Sequence, residues 1–349
     1  METVAEKNLK SKWEALIKEQ PHLRIRNAAE VLGVSELELL VTKIGDGVTT
    51  LKHEFQNILG EIEPLGKVMA LTRNNEVVHE RKGVYLNPEL NNPHVGLFVG
   101  EDIDLRIFFS CWGYAFAVEE EGRKSLQFFA KNGEAVHKIY LTNKSNEAAF
   151  HQLVEKYKAE EQNLVPVITP TPEKEAEKSD SEIDIQGFQD AWVNLKDTHH
   201  FFGMLKKYGV TRTQALRIAP EGNYAVKVDN LACRNLLEQA AKEGVEIMVF
   251  VGNPGMIQIH TGPVKKVVEA RGWYNVLDPD FNLHIKEAEI TDSWIVRKPT
   301  EDGVVTALEC FNKDGEQIVQ LFGKRKPGIP ELASWRDIVA NVEQALKLH

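Results

Sequence analysis

The sequence is poor in cysteine, with only Cys111, Cys233 and Cys310 among its 349 residues. The three lie far apart and none belongs to a CxxC pair, so their spacing predicts neither a disulfide framework nor a zinc site. Free cysteine is one of the residue types most often packed inside proteins. We therefore expect three buried thiols.

Long apolar runs are also missing. No window of about 18 uncharged apolar residues occurs, which argues against a transmembrane helix. The amino terminus, METVAEKNLKSKWEALIKEQ, lacks the apolar core of a signal peptide. These absences predict a cytoplasmic protein without membrane insertion.

Positive charge is in deficit, because 42 Lys and Arg stand against 52 Asp and Glu and give a net charge of −10. Such a chain repels polyphosphates unless its basic residues gather locally. Nucleic acid is therefore an unfavoured partner. The apolar share of 42% and the charged share of 27% are typical of a compact globular protein, and the length allows two domains.

A polar, proline-containing stretch at 162–182, QNLVPVITPTPEKEAEKSDSE, predicts a linker. The segments on either side of it are similar to each other. SLQFFAKNGEAVHKIYL (125–141) matches ALECFNKDGEQIVQLFG (307–323), KVMALTRNNEVVHERKG (67–83) matches EIMVFVGNPGMIQIHTG (246–262), and DIDLRIF (102–108) matches DFNLHIK (280–286). These collinear matches predict a tandem duplication, with a first repeat at 1–161 and a second at 183–349.

Each repeat begins with helical patterns and continues with strands. Gly33 and Gly209 each separate two short helices, and Ser35…Glu38 and Thr211…Gln214 are typical of capping boxes. Apolar alternation between Asn-Gly and Asp-Gly turns then predicts antiparallel hairpins. We expect an α+β fold in which each repeat is an antiparallel sheet with helices packed on it. The end of the chain, ELASWRDIVANVEQALKLH, predicts a closing helix.

Two adjacent histidines, His199 and His200, fall in the helical part of the second repeat. Neighbouring helical residues point about 100° apart, so only one of the rings can face a given site. The matching region of the first repeat, around His22, has no such pair. Such a difference between the repeats is expected of a protein with a single binding site, although random sequence drift gives the same pattern. A lone histidine is also more often a surface or core residue than a ligand.

Over nearly its whole length the chain resembles the bacterial cytoplasmic haem-utilisation proteins known as haemin-degrading factors, the HemS/ChuS-like family. The resemblance lies in DTHHFF, GVTRTQAL, EIMVFVGNPGMIQIHTGPV, FNLHI, SWIVRKPTEDG and QLFGKR of the second repeat, and in DLRIFFSCW and SLQFFAKNG of the first. It implies that the chain binds haem b, iron protoporphyrin IX. It also implies that the two repeats supply different parts of the site.

The resemblance assigns the axial iron ligand to His199 of the second repeat. It assigns Arg106 of the first repeat to the opposite face of the haem, as the catalytic residue if haem is degraded, with Phe108 beside it. Alternate residues on a strand share a face, so Arg106 and Phe108 can line one cleft. A guanidinium cannot ligate iron, but it can hold a water molecule or hydrogen-bond bound dioxygen.

The remaining assignments concern the porphyrin plane and the propionates. The resemblance implies that Phe250 packs against the plane and that Arg212, Lys298 and Arg325 bind the propionates. Arg212 falls in the first turn of a helix, where the helix dipole disfavours a cation, and this favours a functional role. Lys298 and Arg325 are expected at strand ends, where solvated charges are common. Phe322 stands where the family often has tyrosine.

Two haem functions stay open at this point. The chain could receive haem from an importer and pass it to a haem-accepting enzyme, or it could open the macrocycle in a haem oxygenase-like reaction that releases iron. No GxGxxG follows a strand to indicate a built-in reductase. The alternative is a DNA-binding regulator responsive to haem or iron, with RNAAEVLGVSELELL as its helix–turn–helix, but the recognition segment SELELL is acidic.

Overall fold

The computed structural model describes residues 4–163, 165–174, 176–326 and 328–348. Leu164 and Glu175 of the predicted linker, and Pro327 of the second repeat, lie outside the described residues. The chain forms two compact units. The first takes the described residues up to Arg73, then Glu80–Pro172 and Gly252–Gln258, and the second takes Asn74–His79, Glu173–Val251 and the described residues from Ile259 onward.

The first half of the chain places short helices before a series of strands. Its helices are α1 Val4–Glu19, α2 Ile25–Leu32, α3 Glu36–Val41, α4 Phe55–Gly60 and α5 Glu147–Tyr157. Its strands are β1 Val48–Leu51, β2 Gly66–Arg73, β3 Val77–Gly83, β4 Pro88–Glu89, β5 Val95–Val99, β6 Asp104–Phe108, β7 Trp112–Glu120, β8 Arg123–Ala130 and β9 Ala135–Ser145. Antiparallel pairing orders them as β1-β7-β8-β9-β2 and as β4-β5-β6.

The second half repeats this plan. Its helices are α6 Ile185–Val193, α7 His200–Tyr208, α8 Arg212–Arg217, α9 Ala232–Glu243 and α10 Ala333–Leu346. Its strands are β10 Ala225–Val228, β11 Ile247–Asn253, β12 Met256–Gly262, β13 Val267–Ala270, β14 Trp273–Leu277, β15 Phe281–Ile285, β16 Asp292–Thr300, β17 Gly303–Phe311 and β18 Gln317–Gly323. They pair antiparallel in the orders β10-β16-β17-β18-β11 and β13-β14-β15. The predicted α+β class, the hairpins and the duplication are confirmed.

The paired helices of each half turn at a glycine, as the sequence predicts. Gly33 and Gly209 end α2 and α7 in the left-handed conformation, with φ of 67° and 64°, which glycine adopts without steric cost. Ser35 forms a complete capping box with Glu38 at α3.

The capping box predicted for α8 forms only in part. Thr211 Oγ1 accepts the backbone N–H of Gln214 at 3.2 Å. The buried Gln214 amide, however, donates to the carbonyl of Lys178 and to Asp180, at 2.8 and 2.7 Å. The side chain is drawn away from the cap because burial requires it to find partners there.

The two faces of the β16-β17-β18 ladder are covered by different helices. One face packs through Ile295, Leu308 and Cys310 into the apolar cluster that includes α9 and α10. The opposite face packs through Val296 into the cluster formed with α6, α7 and α8. The apolar side of α7 belongs to this second cluster, and it contributes Phe201, Met204 and Leu205. The helix that follows His199 is thereby fixed to the sheet.

The described residues of the predicted linker form no helix or strand before a short 3₁₀ turn at Asp180–Glu182. Within the first unit, the Tyr114 hydroxyl donates to the carbonyl of Val167 and accepts its N–H, both at 3.0 Å. Within the second unit, Glu177 pairs with Arg217. The linker is therefore held to each unit by local hydrogen bonds and ion pairs.

The cysteine prediction holds for two of the three residues. Cys233 and Cys310 are buried in the second unit, but Cys111 is half-buried. It ends the 3₁₀ turn Phe109–Cys111 between two strands, where the chain is not covered on every side. The helices of the described ranges also bear on the membrane prediction: none of them is both long and apolar enough to cross a membrane.

The first unit contains a buried histidine whose two ring nitrogens both have partners. His137 Nδ1 lies 2.8 Å from Thr72 Oγ1, and Nε2 lies 2.6 Å from the Tyr85 hydroxyl. Burial lowers the pKa of His137 to about 3 from its ordinary 6.5. The ring therefore stays neutral in the folded protein and takes up a proton on unfolding below pH 6.5.

This histidine makes a testable contribution to acid sensitivity. Between pH 6.5 and pH 3 the unfolded state binds the extra proton, so the free energy of unfolding falls as the pH falls. His137→Gln removes this term. We expect the wild type to be more stable than the variant at pH 7.5, and the gap to narrow by about 2 kcal/mol at pH 5.0. Urea unfolding at the two pH values measures it, and a gap that does not change with pH would contradict the assignment.

Candidate functional site

His199 is the N-cap residue of α7, at the exposed start of the helix. The two histidines are therefore not both inside the helix as predicted, because the helix begins at His200. The side chain of His199 is 86% exposed. Its Nδ1 lies 2.6 Å from Asp197 Oδ1, and the same oxygen accepts the backbone N–H of His199 at 2.8 Å. An ionised carboxylate can only accept, so Nδ1 carries the hydrogen. In this tautomer of the imidazole the lone pair is on Nε2.

Asp197 is suited to this role because it stays ionised. The hydrogen bond from the backbone of His199 is the main cause that lowers the pKa of Asp197, and the His199 ring adds to the effect against partial burial. A charged acceptor on Nδ1 fixes the tautomer and makes the other nitrogen a better metal ligand. The local sequence DTHH thus builds a pre-oriented imidazole from residues only two positions apart.

The other two histidines considered from the sequence are also exposed. His200 is the first residue of α7, and His22 lies in the turn before α2 in the first unit. Phe202, two residues beyond His200, is 66% exposed. The first turn of α7 therefore presents imidazole and an aromatic ring to solvent.

The buried side of α7 touches two of the predicted propionate-binding residues. The ring of Phe201, 1% exposed, packs edge-on against Trp192 with centroids 4.7 Å apart. Arg212 Cζ lies 5.1 Å from the Phe201 centroid and Lys298 Nζ lies 4.5 Å from it. Both cations are therefore held by cation–π contacts beside a ring that lies two residues along the chain from His199.

Arg212 and Lys298 share one buried carboxylate, Glu309. Arg212 is bidentate, with Nε 2.8 Å from Oε2 and Nη2 2.6 Å from Oε1. Lys298 Nζ donates to Oε1 at 2.8 Å, and the Gln317 amide donates to Oε2 at 2.9 Å. Burial would raise the pKa of Glu309, but Arg212 and Lys298 outweigh it and lower this pKa to about 2. Burial also lowers the pKa of Lys298, to about 8, against the opposing effect of Glu309. At neutral pH the cluster holds two cations and one anion.

The strand register brings these residues and two aromatic rings to one face of the sheet. Gln320 of β18 pairs with Glu309 of β17 on one edge of the strand and with Phe250 of β11 on its other edge. Because residues directly opposite one another in an antiparallel ladder share a face, Phe250 and Glu309 point the same way. The half-buried rings of Phe250 and Phe322 contact each other with centroids 4.9 Å apart. This is the face that α6, α7 and α8 cover in part.

Arg325 follows β18 in the same unit. Its side chain is 17% exposed, and Nη2 lies 3.8 Å from Asp302 Oδ2, which is an ion pair too long to be a hydrogen bond. Asp302 also accepts the backbone N–H of Gly328 at 2.9 Å. Lys298 does not lie at a strand end as expected, because β16 continues to Thr300 and the ammonium is buried.

Arg106 and Phe108 lie in the first unit, and both are half-buried on β6. They lie on the same face of the strand, as alternate residues must. Arg106 forms an ion pair with Asp104, two residues earlier on this face, and also donates to the carbonyl of Leu105 at 3.1 Å. Burial raises the pKa of Asp104, and Arg106 opposes the rise. The guanidinium is thus oriented by a neighbour on its own strand.

The two halves differ in charge at corresponding positions. Glu36, the counterpart of Arg212, is buried in the first unit and pairs with Lys138. The counterpart of Glu309 in the aligned strands is Gln127. The two halves therefore differ at these positions: Glu36 pairs with Lys138 in the first unit, whereas Arg212 and Lys298 share Glu309 in the second.

The two helices joined at Gly33 form as predicted, but α3 is not exposed as a DNA-binding helix would be. Within α3, the would-be recognition helix, the buried residues are Glu36, Leu37, Leu39, Leu40 and Val41. A recognition helix must present its side chains to a groove. α3 instead packs into the first unit, and its burial and acidic charge give no support to DNA binding.

Four residues that contact the predicted ones are not predicted from the sequence: Asp197, Glu309, Phe201 and Asp104. Glu309 could have been found, because an acidic residue inside the apolar strand ALECF must be buried and must therefore have a cationic partner. Asp104 and Asp197 sit two residues before Arg106 and His199, and such spacing alone is too common to be a signal. In the described residues no group of three or more His, Cys, Asp or Glu side chains is arranged to hold a metal ion.

A cavity of about 370 Å³ lies elsewhere in the first unit. None of the predicted site residues lines it; its walls are His53, Glu54, Phe55, Gln56, Asn57, Pro93 and Phe109. Its Gln56 amide already donates to the carbonyls of Leu90 and Asn92, at 2.9 and 2.8 Å. This amide therefore fixes a loop, and we assign the cavity no role.

Comparisons with known proteins agree with the sequence resemblance. A family model described as the haemin-degrading HemS.ChuX domain matches the chain twice, at residues 33–157 and 209–342. The hemin transport protein HemS of Yersinia enterocolitica is 39% identical over 332 residues, which cover 93% of this chain and 94% of that protein.

Solved structures are similar over the same extent. The structure of holo-PhuS, a haem-binding protein from Pseudomonas aeruginosa, superposes with a TM-score of 0.94 at 45% identity, covering 97% of this chain and 99% of that one. ChuS, a haem oxygenase of E. coli, gives a TM-score of 0.86 at 36% identity, covering 96% and 99%. The double match of the family model and these near full-length similarities show that the chain belongs to the haemin-degrading HemS/ChuX-domain family.

Proposed function

We propose that this chain is a cytoplasmic haem-binding protein of haem-iron acquisition that binds one haem b through His199. The observation that carries the proposal is the exposed His199 ring, whose Nδ1 is held by Asp197 so that Nε2 can ligate iron. Neutral imidazole is a standard axial ligand of haem iron. In this role haem is the cargo of the protein.

The cations of the second unit support the same proposal. We assign the propionates to Arg212, Lys298 and Arg325, and the porphyrin plane to Phe250. Arg212 and Arg325 keep side chains that are 23% and 17% exposed, so an incoming carboxylate can reach them. Charge-assisted hydrogen bonds from guanidinium to carboxylate are among the stronger polar contacts in proteins.

Arg106 and Phe108 of the first unit complete the proposed set of haem contacts. Arg106 is the residue we assign to the sixth-position ligand of the iron, because a guanidinium can donate hydrogen bonds to a bound water or dioxygen but cannot displace it. Asp104 orients the side chain for this purpose. The sixth position then stays exchangeable.

Degradation of the bound haem is a second candidate function of the same site. It is favoured by the similarity to ChuS, a haem oxygenase, at 36% identity. The chemistry would come from haem, oxygen and an external reductant, while the protein supplies the ligand, distal polarity and control of water. Delivery, favoured by the similarity to the hemin transport protein HemS, requires a haem-accepting partner instead.

Titration with haemin tests the ligand assignment. We expect a Soret band that saturates near one haemin per chain, and a lost or shifted ferric spectrum in His199→Ala because the iron loses its imidazole. His200→Ala and His22→Ala serve as matched controls and should bind like the wild type. A wild-type spectrum in both His199→Ala and the double variant His199→Ala/His200→Ala would refute ligation at this position.

Asp197→Asn tests the hydrogen bond on Nδ1. The amide keeps the size of the side chain but removes its charge, so the imidazole should become a poorer donor to iron. We expect haemin affinity to fall roughly tenfold and the reduction potential of the bound iron to rise. Absorbance titration and spectroelectrochemistry measure the two effects. Asp190→Asn, in the preceding helix, is the control for loss of a nearby charge.

Incubation of the haem complex with a reductant and oxygen tests degradation. Catalase is included to remove peroxide, which destroys haem without a specific enzyme. If the chain degrades haem, we expect a linear tetrapyrrole and a rate at least about tenfold lower in Arg106→Ala, since a hydrogen-bond donor at a reacting centre contributes that much or more. An unchanged haem spectrum after prolonged incubation would leave binding and delivery as the function.

A further inference from the structure

Glu309 is a buried carboxylate at the centre of the cationic cluster, and direct contact with haem does not explain it. Its side chain is 0% exposed, and it accepts four hydrogen bonds from Arg212, Lys298 and Gln317. Burying an ionised group is costly unless it is paired and hydrogen-bonded, and here both oxygens are. A negative charge at a site for anionic propionates would by itself oppose them. The presence of this carboxylate among the cations therefore requires an explanation.

Lys298 supplies one reason. Its side chain is only 5% exposed. A lysine so deeply buried tends to lose its proton unless an anion lies next to it. The Glu309 carboxylate, 2.8 Å from the ammonium, is that anion. Without it, the second cation of the cluster would be lost.

Arg212 supplies another reason. The guanidinium is held at two points by the two oxygens of Glu309 and lies over the Phe201 ring. A bidentate pair fixes the plane of the fork as well as its position. Arg212 retains a third guanidinium nitrogen, Nη1, beyond the two that bind Glu309. That donor can meet a ligand carboxylate while the other two keep the side chain in place.

We propose that Glu309 is a positioning residue for haem, which keeps Lys298 charged and holds Arg212 in place, so that both cations can receive the carboxylates of the porphyrin. This inference rests on the proposed function, since it names how the second unit selects an anionic porphyrin. Glu309 acts through the two cations and does not itself touch the ligand. The alternative is that Glu309 competes with the propionates for the same cations.

The two possibilities predict opposite signs. If Glu309 positions the cations, Glu309→Gln should weaken haemin binding roughly tenfold or more, as for other residues that orient ligand-binding groups. If it only competes, the variant should bind haemin more tightly. The dimethyl ester of haemin, which has the same ring and iron but no propionate charge, should bind wild type and variant alike under the positioning role. The ratio of haemin affinity to ester affinity is therefore the decisive quantity.

Glu36→Gln is the matched control. Glu36 is a buried carboxylate paired with a lysine in the first unit, and it occupies the position of Arg212 in the duplicated fold. Its removal should affect stability without changing the ratio of the two affinities. A ratio that falls in Glu36→Gln as much as in Glu309→Gln would show a general structural effect and overturn the proposal. So would a haemin affinity that is unchanged or increased in Glu309→Gln.

A second variant tests the proposal in case Glu309→Gln fails to fold. Glu309→Gln leaves Lys298 buried without its anion, so circular dichroism must first show a folded protein. The double variant Lys298→Met/Glu309→Gln removes both buried charges at similar volume, a replacement that proteins often tolerate. It should bind haemin more weakly than the single variant Lys298→Met, because Arg212 then also loses the carboxylate that holds it, and equal or tighter binding by the double variant would overturn the proposal. Failure of the proposed function is distinguishable, because the wild type itself would then show no haemin binding or His199→Ala would bind normally.

Discussion

The register of β11, β16, β17 and β18 is the constraint on which the candidate site depends. Antiparallel pairing places Phe250, Glu309 and Phe322 on a single face of the second unit, although they come from different parts of the sequence. A shift of one residue in any of these strands would turn its side chains to the opposite face, against α9 and α10. The apolar residues between them, such as Leu308 and Cys310, fix the register because they fill that opposite core.

Local patterns made much of this fold predictable. The Asn-Gly and Asp-Gly turns, the glycines that end α2 and α7, and the closing helix are all encoded within a few residues, and the duplication follows from collinear segments. The family resemblance also identifies His199 and Arg212 as candidate site residues. For Arg212, its position in the first turn of a helix, where the helix dipole disfavours a cation, gives a second indication. Such features depend on residues close together in the sequence, and interactions of that kind can be predicted from sequence patterns.

The rest depends on residues far apart in the chain. Gln214 leaves its expected cap because Lys178 and Asp180 lie beside it in space. Lys298 is predicted at a strand end, whereas β16 continues past it and the fold buries it against Glu309. Cys111 is more exposed than a typical free thiol because its turn lacks cover on one side. No periodicity or spacing contains this information, since it arises only when the sheet and helices have assembled.

Presentation of His199 at the first turn of a helix has a consequence for how such proteins diverge. The imidazole is oriented by Asp197 and by the backbone of its own turn, and it makes no contribution to the apolar cluster beneath α7. The imidazole proposed as the iron ligand and the apolar core are therefore encoded by separate residues. A duplicated copy can gain or lose such a histidine through one or two exchanges at a helix start, while the scaffold around it is inherited intact.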